Sequence, residues 1–303
     1  PHFANHRMTG DFTASAEEIQ QMVLPATFYA ALLPPYNAGT YVWGYNVNGI
    51  GAHYPGFTVE ATRGVPTAAL YSNDLPVTGS IVQQYLPVDQ TLHWADPLME
   101  MGSTLPYTGP PPIVTHLHGA EVPSEFDGGP DQWFTPDGMR GAGYRSLVPV
   151  PGNQAVYAYP NDQEPTTLWF HDHALGATRL NVYAGLAAYY LLRDWTIERP
   201  DLPVGPNDTT VTEPGRAIFA DTTYSPEIEL AIQDRMFDTN GQLYFPSIGI
   251  NPEHPYWLPE FLGNVMLVNG KTWPYLSVEP RRYRFRVLDG CNARFLRMWL
   301  QNL

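Results

Sequence analysis

Two His-X-His triplets, His116-Leu117-His118 and His171-Asp172-His173, hold four of the chain's nine histidines. Neutral imidazole is a good ligand for copper, zinc, iron and nickel. Each triplet lies in or at the end of a segment that reads as a β-strand, and side chains at i and i+2 of a strand share one face. Each pair therefore projects two imidazoles in one direction. Two such strands facing each other would offer four nitrogen donors to a common space, which suits a metal cluster better than a hydrophobic core. Leu117 and Asp172 point to the opposite faces of their strands. Neither triplet contains Cys or Met, so these residues alone do not imply a soft-ligand Cu(I) site.

The elements that must hold these side chains read as β. Candidate strands are Tyr41–Asn46, Thr58–Ala61, Ala68–Ser72, Ile113–His118, Ala155–Tyr159, Thr167–His171 and Gly185–Arg193. They are short, rich in aromatic and β-branched residues, and separated by Gly, Pro, Asn and Asp, as in a sandwich or barrel. Long helices do not alternate with them, which argues against a parallel α/β fold. Upstream, Ser15-Ala16-Glu17-Glu18 has the form of a capping box. With Ile19, Met22 and Val23 at helical spacing it predicts a short helix over about 16–24, ended by Pro25.

Residues 1–40 thus read as an N-terminal arm with a short helix, and 41–194 as a β domain with both triplets. Residues 195–215, rich in Pro, Gly and Asp, read as a linker. Further strands are predicted at Ala217–Ala220, Leu230–Asp234, Val265–Val268 and Tyr283–Val287, with Arg294–Leu300 as another candidate. This second β region, 216–303, has four or five strands, where a Greek-key sandwich uses about seven or more. Stopping there would leave open strand edges, so the expectation is an incomplete second domain.

Composition narrows the partners. The net charge is −14 with a pI of about 4.9, which disfavours nucleic acid and anionic membranes. No apolar run is long enough to span a bilayer, and the N-terminus shows no signal-peptide pattern. Cys291 is the only cysteine, so no intrachain disulfide forms.

The sequence around the triplets resembles the multicopper oxidases, specifically the group that contains bacterial spore-coat laccases and bilirubin-oxidase-like enzymes. The likeness is carried by Val42-Trp43-Gly44-Tyr45-Asn46, Tyr54–Glu60, Thr115–Gly119, Trp169–His173, Thr178–Leu186, Leu267–Leu276 and Tyr283–Val287. It covers nearly the whole chain from about residue 34. The resemblance implies an all-β fold: a cupredoxin-like Greek-key sandwich followed by an incomplete second cupredoxin-like domain. It implies a laccase-like, copper-dependent oxidoreductase that couples one-electron oxidation of phenolic, aminophenolic or similar substrates to four-electron reduction of O2 to water. In the family, eight histidines from four His-X-His motifs hold a trinuclear cluster. By resemblance His116 would bind the type 2 copper, and His118, His171 and His173 the type 3 pair. Asp127, in Glu125-Phe126-Asp127-Gly128, matches an acidic residue near the type 2 copper and is the candidate for supplying protons; it also reads as a turn Asp before Gly128-Gly129.

The chain departs from the family in lacking the C-terminal His-Pro-X-His-X-His-Gly and His-Cys-His motifs. Cys291 has no histidine nearby and reads as a small buried residue rather than the type 1 copper thiolate. His53, His93 and His254 read as structural or loop residues, and His2 and His6 as part of the arm. The expected partner is the remainder of the same polypeptide, or a second chain, carrying the C-terminal cupredoxin domain; alone, this chain would be inactive. The expected small molecules are O2 and a phenolic or metal-ion reductant. A secreted, periplasmic or spore-coat location follows only from the resemblance. The rival readings are a non-catalytic copper-binding module and a zinc metallohydrolase, which would show a βα repeat. A cupin-like dioxygenase would need one more His and a Glu on a single barrel.

Overall fold

The computed structural model describes residues 11–194, 196–197, 227–276, 278, 280 and 282–299. The predicted strand at Ala217–Ala220, residues His2 and His6, and nearly all of the 195–215 linker lie outside them.

The chain opens with a strand, β1 (Phe12–Gln21), where the capping-box reading expects a helix. That expectation is overturned by tertiary pairing. β1 runs antiparallel to β2 (Thr40–Val47) and parallel to β5 (Thr67–Asn73). Phe12, Ala14 and Ala16 alternate into the core, a period of two that local cap chemistry obscured. The would-be box partners have other work. Ser15 Oγ donates to Glu17. The Glu18 carboxylate accepts from the Ile81 and Val82 amides at the start of a short helix and from the Trp43 indole. A four-residue helix, α1 (Ala26–Tyr29), follows Pro25.

The remaining elements are β3 (Ala52–His53), β4 (Gly56–Thr62), α2 (Ile81–Tyr85), β6 (Thr115–His118), β7 (Gln154–Tyr159), β8 (Thr167–Asp172), α3 (Thr178–Ala184), β9 (Ala187–Arg193), β10 (Glu227–Arg235), β11 (Val265–Val268), β12 (Lys271–Thr272) and β13 (Arg284–Asp289). Apart from 217–220 and 294–300, every predicted strand is present within a few residues. The exception among described residues is 294–299, which is not a strand; Phe295 and Trp299 there are exposed.

Among the described residues three sheets form, ordered β3-β2-β1-β5-β7, β4-β9-β8-β6 and β12-β11-β10-β13. The first two share one core. Phe170 of β8 meets Phe12, Tyr45 and Tyr71 of the facing sheet at ring distances of 6.1, 5.1 and 6.0 Å. Leu117, Leu168 and Tyr190 also point into this layer and are buried. Burying aromatic side chains of this size contributes roughly 2–3 kcal/mol each.

β9 is buried along its whole length because both of its faces are covered. Its outer residues Tyr189 and Leu191 pack on Ala231 and Leu288 of the third sheet. The same junction holds a buried ionic cluster: Arg193 bonds Glu60 at 2.5 Å and Glu227 at 2.7 Å. Glu227 also pairs with Arg286, whose other nitrogen donates to Thr167 Oγ1 at 2.6 Å. The third sheet thus covers one part of the outer face of β4-β9-β8-β6. The part of that face on β6 and the end of β8 carries the histidines.

Candidate metal centre

β6 and β8 are antiparallel neighbours, and their register sets His116 directly opposite His171 and His118 opposite Trp169. Beyond the last ladder pair, the His173 amide donates to Val114 O at 2.8 Å. The pleat sends Leu117, Phe170 and Asp172 inward and the four imidazoles outward, as the i, i+2 spacing predicts. The rings form an array in which His116 lies 5.5, 5.6 and 4.9 Å from His118, His171 and His173. His118 and His171 are 5.3 Å apart, and His171 and His173 5.9 Å. Sequence spacing anticipated each pair; the structure brings the two pairs together.

Second contacts orient the rings. His116 Nδ1 lies 2.6 Å from the Asp127 carbonyl, and 3.4 Å from that residue's carboxylate. Because a carbonyl only accepts, Nδ1 carries the proton and Nε2 is left as the donor atom toward a metal. The Asp127 loop can approach this closely because Gly128 sits at φ +70°, where a Cβ would overlap the Thr115 carbonyl. His171 is fixed in the same way: its Nδ1 is 2.6 Å from the Asp172 carbonyl, leaving Nε2 unprotonated in the neutral ring.

His171 Nε2 in turn lies 3.1 Å from His118 Nδ1. Metal–imidazole bonds of about 2.0–2.1 Å would place two ligands at this separation about 100° apart around one ion. The pair would fit a shared metal, which His118 Nδ1 and His171 Nε2 would hold. Without a metal the same approach is an ordinary hydrogen bond. His173 Nδ1 is buried and makes no full hydrogen bond, with the Gly128 backbone only a minor influence on it. Among the described residues no three His, Cys, Asp or Glu side chains close around one ion. The histidines form an open array rather than a finished cage.

Electrostatics favour the ligand form. Burial pushes the His171 imidazole down to about 3, and His116 and His118 act in the same direction. Burial, then His116, also lowers His118 and His173. Neutral imidazoles with available lone pairs result.

Trp169 is a wall of this site that the sequence reading treated only as context. Its ring lies 4.2 Å from His171 and is stacked 5.3 Å from His118. Its position two residues before His171, on the same face, was the available signal. A cavity of about 410 Å³ opens beside these three residues, with Arg179, Arg235 and Cys291 among its other lining groups. Cys291 is half-buried rather than buried, which corrects the sequence expectation. Burial pushes its thiol up to about 12, so it stays protonated and is a poor ligand. The other described histidines lie elsewhere. His53 sits in β3, bonded to Pro55 O and stacked on Phe57. His254 bonds Thr91, and His93 is exposed.

The chain is similar to laccases and multicopper oxidases. The chain is 37% identical over 274 residues to the laccase of Bacillus subtilis, covering 89% of this chain and 44% of that protein. It is 38% identical over 253 residues to Multicopper oxidase LPR1 homolog 1 of Oryza sativa, covering 83% of this chain and 37% of that protein. The fold matches the laccase of Pediococcus acidilactici with a TM-score of 0.57 at 20% identity, covering 93% of this chain and 42% of that one. It matches the McoA multicopper oxidase of Aquifex aeolicus with a TM-score of 0.56 at 20% identity, over 94% and 43%. These folds agree with the expected cupredoxin-like β architecture. No family profile matches the chain. The chain spans about two fifths of the length of the curated relatives it matches. Among the described residues no helix is long and apolar enough to cross a membrane.

Proposed function

Because the chain corresponds to the N-terminal part of the multicopper oxidases, we propose that it supplies half of the ligands of a trinuclear copper cluster in a laccase-like oxidase. His116 is the type 2 ligand, and His118, His171 and His173 serve the type 3 pair. When bound, such a cluster stores single electrons from a reductant and delivers four to dioxygen, yielding water. The other four histidines and the type 1 copper belong to a C-terminal cupredoxin domain, in the same polypeptide or a second chain. The reductant is a phenol, aminophenol or low-valent metal ion. The observation that carries this reading is the 3.1 Å approach of His118 Nδ1 to His171 Nε2 within the four-ring array.

The chain's own residues contribute position and protons. Strands β6 and β8 fix the ring spacing more rigidly than loops would. Desolvation favours the neutral form of the His118, His171 and His173 imidazoles. Asp127 has two parts to play. Its carbonyl sets the His116 tautomer, and its side chain, 43% exposed, stands 3.4 Å from the same ring with access to solvent. That position suits a carboxylate that passes protons to the site.

The test is metal content and oxygen uptake of the natural polypeptide carrying this chain. Copper retention with reductant-dependent O2 consumption is expected, with both lost in His118→Ala. Bound zinc without O2 uptake would overturn the oxidase reading in favour of a hydrolase. Copper without turnover would favour a binding module. Asp127→Asn is expected to keep its copper but lower turnover about 10²–10⁴-fold; unchanged turnover removes the proton role.

A further inference from the structure

We propose that Asp172, the middle residue of the second triplet, is the positioning residue that locks the two His-X-His motifs to each other. The inference rests on the metal-centre reading above and deepens it.

Asp172 has no solvent exposure, and its side chain lies on the face of β8 opposite the imidazoles. A carboxylate there is costly unless hydrogen-bonded. Among the described residues it is held by three N–H donors and no cation. Asp172 Oδ2 accepts from the Val114 amide at 3.0 Å. Oδ1 accepts from the Ala174 amide at 3.0 Å and from Asn181 Nδ2 at 2.9 Å. Asn181 Nδ2 also donates to Pro112 O at 3.0 Å.

These partners are the segments whose spacing decides the metal geometry. Val114 leads into the first triplet and Ala174 leaves the second. Asn181 belongs to α3, which packs behind β8. Val114 is tied by both backbone groups, its N–H to Asp172 and its C=O to the His173 amide. The β6–β8 ladder ends at Thr115↔Asp172, so ladder pairing does not reach His173. The carboxylate continues the connection past the end of the ladder. Through its carbonyl, Asp172 also orients His171. One residue therefore sets the separation of His173 from His116 and the direction of His171.

The isosteric Asp172→Asn variant separates these links. An amide has one acceptor oxygen, so one of the two carboxylate positions becomes an NH2 facing an N–H donor. Oriented to keep Ala174 and Asn181, it releases Val114 and thus the first triplet. The experiment measures copper stoichiometry and the rate of copper loss to a chelator in the copper-loaded natural polypeptide, normalised to folded protein. Asp172→Asn and Asp172→Ala are compared with Leu117→Ala, a cavity variant on the same inner face. The expected result is release at least about 10-fold faster in Asp172→Asn than in wild type, the range found when outer-shell partners of metal ligands are removed. Leu117→Ala should release copper more slowly than Asp172→Asn even where it is the less stable protein. Equal release rates at matched stability would reduce Asp172 to a structural residue and overturn the proposal. Wild-type release in both Asp172 variants would overturn it while leaving the copper site standing. No copper in the wild-type protein would remove the metal-centre reading and this inference together.

Discussion

The two ends of β8 are held by opposite chemistries. At its start, Thr167 receives Arg286, and β4, β9, β10 and β13 meet in a buried cluster of Arg193, Glu60, Glu227 and Arg286. At its end, Asp172 is buried just as completely but is held by backbone and side-chain amides alone. The first cluster joins two sheets. The second joins segments within one sheet to the helix behind it. The difference follows from what each must do. Charge paired with charge tolerates small displacements, because Coulomb attraction falls slowly with distance. Amide hydrogen bonds weaken steeply off-line and so define position more tightly. An array of four histidines held at fixed spacing needs the second kind of support.

The largest loss is expected at Arg193. Arg193→Met would leave Glu60 and Glu227 buried without their shared cation, a loss of about 3–5 kcal/mol, read as a lower denaturant midpoint. A loss under about 1 kcal/mol would mean that the charges are not effectively buried. Acid attacks the same cluster less completely. Burial alone would push the Glu227 carboxyl up, but Arg193 and Arg286 outweigh it and hold it below the ordinary 4.5. A carboxyl lowered on folding contributes stability that is full above its unfolded value and is lost as pH falls from there through the folded value. Glu227's contribution should therefore vanish only below about pH 4.5, and a Glu227→Gln variant should show a flatter stability profile in that acid window.

At the other end of β8, Asn181→Leu removes one of three donors to Asp172 and should cost about 1–3 kcal/mol, measured by thermal melting. A smaller effect is expected where a carboxylate caps rather than clamps: Glu18→Gln should cost about 1 kcal/mol, since it weakens acceptance from the α2 amides. The least effect is expected at the exposed pair Arg63–Glu164, 2.7 Å apart, with Glu164 75% exposed. Arg63→Ala should change stability by about 0–1 kcal/mol and be insensitive to what happens at either end of β8.

Much of this arrangement was legible in the sequence. Period-two spacing put each histidine pair on one face, and short aromatic runs marked ten of the strands within a few residues. What was not legible was which strand lies beside which. That His116 faces His171 is set by the β6–β8 register, and no local signal encodes a pairing partner. The misread helix at 16–24 has a related cause. Ser15 and Glu18 satisfy a local capping rule, but their bonds go to Glu17 and to α2, and pairing on both sides overrode helix chemistry. α3 went unrecognised because a seven-residue helix gives little periodicity. The same period-two spacing puts Asp172 on the inner face, where a carboxylate demands buried donors; which donors serve it depends on tertiary packing.

β1 has one more consequence. It is the central strand of its sheet, with β2-β3 on one side and β5-β7 on the other. Residues near the start of the chain therefore act as the keystone of the sheet that backs the histidine-bearing one. A shortened chain beginning after Gln21 would lose more than a tail. It would split that sheet into a two-stranded hairpin and a separate two-stranded pair, each with a raw edge. Proteolytic trimming past Phe12, or a bulky fusion pressed against it, should therefore register at the histidine face through the shared core, with no histidine touched.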